Sequence, residues 1–399
     1  MASQHTGSFH MMKSLNRSLI LNTIRQNGAI SRSEIAKATK LTPPTVTNLV
    51  NELLEENLVY ESSAGESKGG RKPILLKIKS DSRFIIGIDI GVRKMRIALS
   101  DMDARLLKQE LIPMPGSLTK TTFLEFLQHH VGTFMRSIDE RREKLIGIGA
   151  AMHGIVDHRT GNSIHAPTLG IRNIPVKEAL EEVSGLPVRV ENDAKAMALG
   201  EKWFGAGRNV DSFLCLNIGE GIGAGLVIDN TLFHGHNSLA GEIGHMMIEK
   251  DGPVCSCGRS GCLQTFASGE AMRRRMKAKL ETGAASSLKA ADSPDGAAIF
   301  EAAEKGDELS REVLSETGDY LGTGLVNAVH FINPPLIILG GGVAKAGKYL
   351  LPSIKKVMKD RALSEEAGET EVEVSYLGEE GSLIGACTLI LAELFEIPD

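Results

Sequence analysis

Between Gly241 and Cys262 the chain reads GEIGHMMIEKDGPVCSCGRSGC, gathering three of its five cysteines. They stand as Cys255-x-Cys257-x4-Cys262, with His245 ten residues before the first. Three thiolates and one imidazole make a complete tetrahedral shell for Zn2+, the donor set of structural zinc sites. Gly258 and Gly261 let so short a loop fold back on one ion without Cβ clashes. Scattered buried cysteines are the plain alternative, but CxCGxxGC is far more specific than a lone CxxC. A closed shell leaves no open position for water, so the expected ion holds shape and does no chemistry.

Glu242-Ile-Gly244-His245 followed by CxCGxxGC resembles the signature of the ROK family (repressors, open reading frames and sugar kinases). The resemblance implies that Glu242 binds sugar hydroxyls. It also implies that His245 both ligates the zinc and faces the sugar, so that the zinc shapes a sugar pocket.

The 399 residues suit two or three domains. No run approaches the ~18–20 apolar residues of a membrane span, and the N-terminus lacks the apolar segment of a signal peptide. Cys215 and Cys387 lie in apolar runs and read as reduced core residues, a cytoplasmic pattern. Charge is unevenly spread. Residues 1–80 hold 11 Lys and Arg against 6 Asp and Glu, a net of +5, whereas the remainder carries −10. A basic head on an acidic body points to a polyanionic partner for the head.

After a polar, unpatterned stretch over 1–10, apolar spacing at Leu15, Leu19, Ile20 and Ile24 predicts a helix ended by Asn27-Gly28. Ser31 with Glu34 reads as a capping box opening a second helix. Thr42 as N-cap and Pro43 at the first helical position open a third. Its apolar face is Val46, Leu49, Val50 and Leu53, and its other face is short and polar: Pro44, Thr45, Thr47, Asn48, Asn51. Two short helices joined by a tight turn form a helix-turn-helix, whose second helix offers its N-terminal residues to base edges. Asn48 suits adenine. Leu58–Glu61 and Pro73–Ile78 then predict a hairpin wing, with Lys68, Arg71 and Lys72 at its tip to meet phosphates or a minor groove. The run from Ile30 to Pro73 closely resembles the winged helix of ROK-type repressors, in which the Arg matching Arg71 is a groove or backbone contact.

The body repeats one pattern. An apolar strand over 84–89, a turn at Ile90–Arg93 and a strand over 95–100 return as a strand over 213–218, the turn Gly219-Glu220-Gly221 and a strand over 223–228. A third glycine turn, Gly340–Gly342, follows the strand Leu336–Leu339. This layout resembles the actin and sugar-kinase superfamily, in which two glycine turns clamp nucleotide phosphates through backbone N–H groups. The turns depart from the kinase form. A second glycine and a Thr are missing after Gly91, and Glu220 stands where ROK kinases carry a phosphate-facing Thr. Two like charges ~4 Å apart repel by about 4 kcal/mol at an effective dielectric near 20. Weak or absent ATP binding is the expectation.

The resemblance carries Asn192 and Asp193 into a sugar cleft from a helix N-terminus, with Asp193 the general base in a kinase and a hydroxyl acceptor otherwise. By its own chemistry Asp193 is also a candidate N-cap. Gln264 stands where sugar binders of the family usually carry Glu, and an amide both accepts and donates. His153, beside Gly154, reads first as a loop residue. Residues 284–296 read as a flexible loop, and 297–332 as helical by periodicity.

The predicted fold is α/β: a winged helix-turn-helix over 11–80 and a two-domain, actin-like ROK body. Its first domain covers 81–193 plus 380–399, and its second, with the zinc loop, covers 194–379. The predicted function is a sugar-responsive repressor of a carbohydrate operon, most like the family's xylose-operon repressors. It would act as a homodimer or homotetramer on operator DNA, with a sugar held by Asn192, Asp193, Glu242, His245 and Gln264. The alternatives are an ATP-dependent sugar kinase using Asp193, or a repressor controlled by a phosphotransferase protein.

Overall fold

Ser31 accepts the Glu34 N–H while Glu34 accepts the Ser31 N–H, so the capping box sets the start of the second helix. A computed structural model describes residues 9–62 and 73–395. The head comprises α1 (Phe9–Asn27), β1 (Ile30–Ser31), α2 (Arg32–Thr39), α3 (Pro43–Glu55), β2 (Val59–Ser62) and β3 (Leu75–Ile78). Thr42 caps α3 with Pro43 at its first position, and Val46, Leu49, Val50 and Leu53 are buried as the spacing predicts. The three strands pair in the order β1-β3-β2, giving the sheet of the wing. The wing tip, with Lys68, Arg71 and Lys72, lies outside the described residues.

The first body sheet uses β4 (Phe84–Ile90), β5 (Lys94–Ser100), β6 (Leu106–Pro113), β7 (Leu145–Met152) and, further on, β11 (Val188–Asn192). Helix α4 (Lys120–Arg136) precedes β7. The short strands β8 (Ile155–Asp157), β9 (Asn162–Ala166) and β10 (Ile171–Ile174) form a small separate sheet before α5 (Val176–Ser184). Helix α6 (Asp193–Phe204) then leads to the second sheet: β12 (Phe213–Ile218), β13 (Ile222–Ile228), β14 (Thr231–Phe233), and later β15 and β16.

Between β14 and β15 run the cysteine loop and α7 (Gln264–Ala267), α8 (Gly269–Glu281), α9 (Gly296–Glu304) and α10 (Glu308–Ile332). After β15 (Leu336–Gly340) come α11 (Gly347–Arg361), α12 (Glu365–Gly368), β16 (Glu371–Val374) and α13 (Gly381–Phe395). The sheet orders are β11-β7-β4-β5-β6 and β14-β13-β12-β15-β16. In each, the first two strands of the unit pair antiparallel, and the fourth joins the first in parallel. The duplication read from the glycine turns is therefore a duplication of whole sheets.

Two sequence expectations change. The helical pattern over 297–332 is two helices, because Gly306 at φ +96° breaks the chain and Asp307 caps the next helix. The loop over 284–296 contains a 3-10 turn at Ala290–Asp292, and Asp307 accepts hydrogen bonds from Ser286 and Ser287 at its near end.

Helix α13 returns to the first sheet and also packs along α6. A Cβ on Gly149 of β7 would stand 1.7 Å from the Ala386 carbonyl oxygen, and one on Gly385 1.9 Å from that of Ala196. Only glycine permits these two backbone approaches. The head does not stand apart from this body. Ile20, Leu21 and Ile24 of α1 share one buried cluster with Trp203, Cys387, Ile390, Leu391 and Phe395.

Candidate functional site

The cysteine loop brings His245, Cys255, Cys257 and Cys262 together, with one ligand atom of each within 4.8 Å of all the others. His245 Nδ1 stands 3.6 Å from Cys255 Sγ, and Cys257 Sγ 3.7 Å from Cys262 Sγ. Gly258 and Gly261 both take left-handed φ, +85° and +74°. At Gly261 a Cβ would fall 1.5 Å from the Glu249 carbonyl oxygen. The loop closes on itself through these glycines, and the soft thiolate-rich set suits Zn2+. The other ring nitrogen, Nε2, lies 3.9 Å from Glu242 Oε2. The imidazole thus links the cluster to the cleft carboxylate.

On the cleft floor, Asn192 caps α6: its Oδ1 accepts from the Ala194 and Lys195 N–H groups at 3.0 and 3.1 Å. The N-cap role considered for Asp193 therefore belongs to Asn192, since Asp193 is already the first helical residue. Asp193 Oδ1 accepts the Ala194 N–H at 2.9 Å, and Asn217 Nδ2 donates to Oδ2 at 3.3 Å. Burial, together with the charge of Asp89, raises the Asp193 carboxyl to about 7. His153 reaches the same region. Its Nε2 lies 3.2 Å from Thr168 Oγ1, and burial lowers its pKa against the pull of Glu242 and Asp89. Asn192 Nδ2 donates to Asp193, and the charge of Glu242, itself beside His245, acts on Asp193, so these four polar residues lie in one region.

Gln264 is placed differently. Its Nε2 donates to Cys255 Sγ at 3.1 Å and its Oε1 accepts the Ile222 N–H at 3.5 Å. It joins the cysteine loop to the second glycine turn.

The two glycine turns, which the family resemblance makes the phosphate side, are bridged by ion pairs. Glu220 takes two bonds from Arg273 of α8, at 2.9 and 2.8 Å, and one from Arg93 of the first turn at 3.3 Å, whose Nε also lies 3.1 Å from Oε1. The two turns are thereby joined through one carboxylate, and Arg273 holds Glu220 below the usual range. Glu220 is therefore not the bare, repelling carboxylate that its place in the turn suggests. The carboxylate is neutralised, and it occupies two arginines that would otherwise attract phosphate. Asp89 is likewise engaged by Arg96 directly across the β4–β5 ladder, with Nε at 2.9 Å. The Asp89–Arg96 pairing follows from hairpin register and is legible in the strand spacing. Arg273, 53 residues from Glu220, leaves no such signal.

On the head, Pro44, Thr47, Asn48 and Asn51 are exposed along α3, and Thr45 is half-buried. Thr47 Oγ1 bonds back to the Pro43 carbonyl at 2.9 Å, and Arg32 reaches Asn51. This is a polar helix face presented to solvent beside the wing.

A family model described as ROK family matches residues 85–393, and one described as winged helix-turn-helix DNA-binding matches residues 14–60. The chain belongs to the ROK family. It is 33% identical to a xylose repressor of Caldicellulosiruptor bescii over 98% of this chain and 99% of that one. It is 32% identical to the DNA-binding transcriptional dual regulator NagC of Escherichia coli, over 96% and 94%. Among solved structures it resembles a ROK family transcriptional regulator homologous to the E. coli MLC protein. That match has a TM-score of 0.85 and 28% identity, covering 97% of this chain and 98% of that chain. A ROK family glucokinase from Streptomyces griseus, solved with glucose and AMPPNP, matches with a TM-score of 0.66 and 29% identity over 77% and 98%. The whole-length matches to this ROK chain carry the head, and the kinase match leaves about its share of the chain uncovered.

Proposed function

We infer that this ROK protein is a sugar-responsive transcriptional repressor of a carbohydrate-utilisation operon, a regulator rather than an enzyme. The observation that carries this reading is the Arg93–Glu220–Arg273 cluster. It fills the phosphate side of the cleft with the chain's own charges, while the polar set of Asn192, Asp193, Glu242 and His245 stays assembled beside it. A carboxylate and amides on a helix N-terminus accept and donate to adjacent hydroxyls without any phosphoryl donor.

Operator DNA meets Pro44, Thr45, Thr47 and Asn48 of α3, with Arg71 of the wing as a backbone or groove contact. His245, Cys255, Cys257 and Cys262 hold a structural Zn2+, which fixes the loop bearing Glu242. Gln264 acts through Cys255 and the second glycine turn, setting the pocket wall rather than gripping the sugar directly. Two copies, or four, align their heads on a palindromic operator in the cytoplasm. Sugar shifts the operator equilibrium by its differential affinity for two body shapes, typically ~1–3 kcal/mol. Similarity to xylose repressors makes a pentose the first effector to try.

The test is a gel-shift titration on DNA flanking this gene, with a panel of pentoses and hexoses, with and without MgATP. Specific binding released by one sugar without ATP is the expected result. ATP consumed in the presence of a sugar, with no DNA bound, would overturn it. Operator binding unmoved by every sugar would assign control to a protein partner instead.

A further inference from the structure

Glu191 is buried at 2% exposure, one residue before the Asn192 cap. Its two oxygens face different partners. Oε1 accepts the Asn192 N–H at 2.8 Å, and Oε2 lies 2.7 Å from His234 Nε2. A second imidazole, His158, stacks on His234 with centroids 3.6 Å apart and planes 16° from parallel. One ligand atom from each of His158, Glu191 and His234 lies within 4.8 Å of the other two. An ion pair alone would use one imidazole.

We propose that His158, Glu191 and His234 form a second metal site, separate from the cysteine cluster, for a divalent transition-metal ion of the Zn2+, Co2+ or Ni2+ class.

The surroundings are arranged as the outer partners of a ligand set are. His158 Nδ1 stands 3.2 Å from Ser238 Oγ, a partner that fixes the ring. The Asn192 N–H orients Glu191 through Oε1, so that Oε2 faces His234. Lys195, buried nearby, spends its ammonium on the Ser238 carbonyl at 2.7 Å. Two imidazoles and a carboxylate favour borderline ions over Mg2+ or Ca2+, and three protein ligands leave a position open. His158 follows β8 and Glu191 is the last residue but one of β11 on the first sheet's side, whereas His234 follows β14 of the second sheet. An ion here ties the two halves of the body together, next to Asn192 and Asp193. Its consequence is a lobe-bridging clamp that responds to metal supply.

The probe is Co2+ added to the full-length chain whose cysteine site already holds Zn2+. The expected result is one further equivalent bound, with a visible d–d spectrum lacking thiolate charge transfer. That equivalent is lost in His234→Ala and in His158→Gln, with one zinc per chain retained by each. No further equivalent in the unmodified chain, or an unchanged one in both variants, overturns the proposal. If either variant fails to retain its zinc, Ser238→Ala decides. Affinity for the second ion ~10–100-fold weaker supports the site, and unchanged affinity overturns it. These readouts are independent of operator binding, so their failure leaves the repressor reading standing.

Discussion

The guanidinium carbon of Arg25 lies 3.8 Å from the centroid of the Trp203 ring, joining the first helix of the head to the last turn of α6. Phe395 packs edge-on against the same indole at 5.8 Å. The other end of α6 is the Asn192 cap and Asp193, so one helix of 12 residues, ~18 Å long, runs from the cleft to the head.

Arg25→Ala should therefore weaken the coupling between the two sites rather than either site itself. A cation–π contact of ~0.5–2 kcal/mol corresponds to roughly a 2- to 30-fold smaller sugar effect on operator affinity. Sugar affinity of the DNA-free protein should stay within about 2-fold on that reasoning. Calorimetry for sugar and anisotropy for DNA separate the two, and an undiminished sugar effect would remove Arg25–Trp203 from the route.

Asp193 sets a pH dependence. Its folded-state pKa of about 7 lies above the ordinary value of 3.8, so the folded chain holds the extra proton between about 4 and 7. Stability from this group is fully present at the low end of that window and is lost as pH rises through about 7. Asp193→Asn should flatten this part of the pH–stability curve. It should also weaken sugar binding at pH 8 by roughly 10- to 100-fold, the loss of charge-assisted hydrogen bonds of ~1.5–3 kcal/mol. Operator affinity without sugar should not change. Loss of both affinities would indicate misfolding.

Removing the Zn2+ proposed for the cysteine cluster should free four ligands, including the imidazole that lies 3.9 Å from Glu242. The Glu242 loop should loosen, with sugar binding lost and melting temperature lowered. Sugar affinity preserved in a sample verified to contain no zinc would show that the ion does not shape the pocket.

Asn48 stands exposed on α3. Asn48→Ala should cost ~1–3 kcal/mol in operator binding and relax selection at one base pair, the signature of direct readout. A uniform loss across all operator variants would make Asn48 a backbone contact instead.

How much of the site was legible depends on the range of the interaction concerned. The cysteine cluster was fully legible, because its three thiols fall within eight residues and its imidazole ten residues before them. Ligand spacing over so short a loop leaves few ways to close. Asn192 and Asp193 were legible as a helix start, but which of them caps it depended on one residue of register. Gln264 was assigned by position to the sugar, whereas its amide lies against Cys255 and Ile222. An amide can satisfy either arrangement, so its residue type does not discriminate.

By itself the sequence determined the winged head, the repeated strand–turn–strand units and the histidine–cysteine cluster. Each rests on periodicity, capping or spacing within about one element, and neighbouring residues enforce these directly. Tertiary structure alone decided that Arg273 and Arg93 close the phosphate side on Glu220. It alone set Arg25 against Trp203 and brought His158 and His234 beside Glu191. Those partners lie tens to hundreds of residues apart. Charge and aromaticity act wherever packing delivers them, and only the docking of α6 and α13 between the two sheets determines which groups meet.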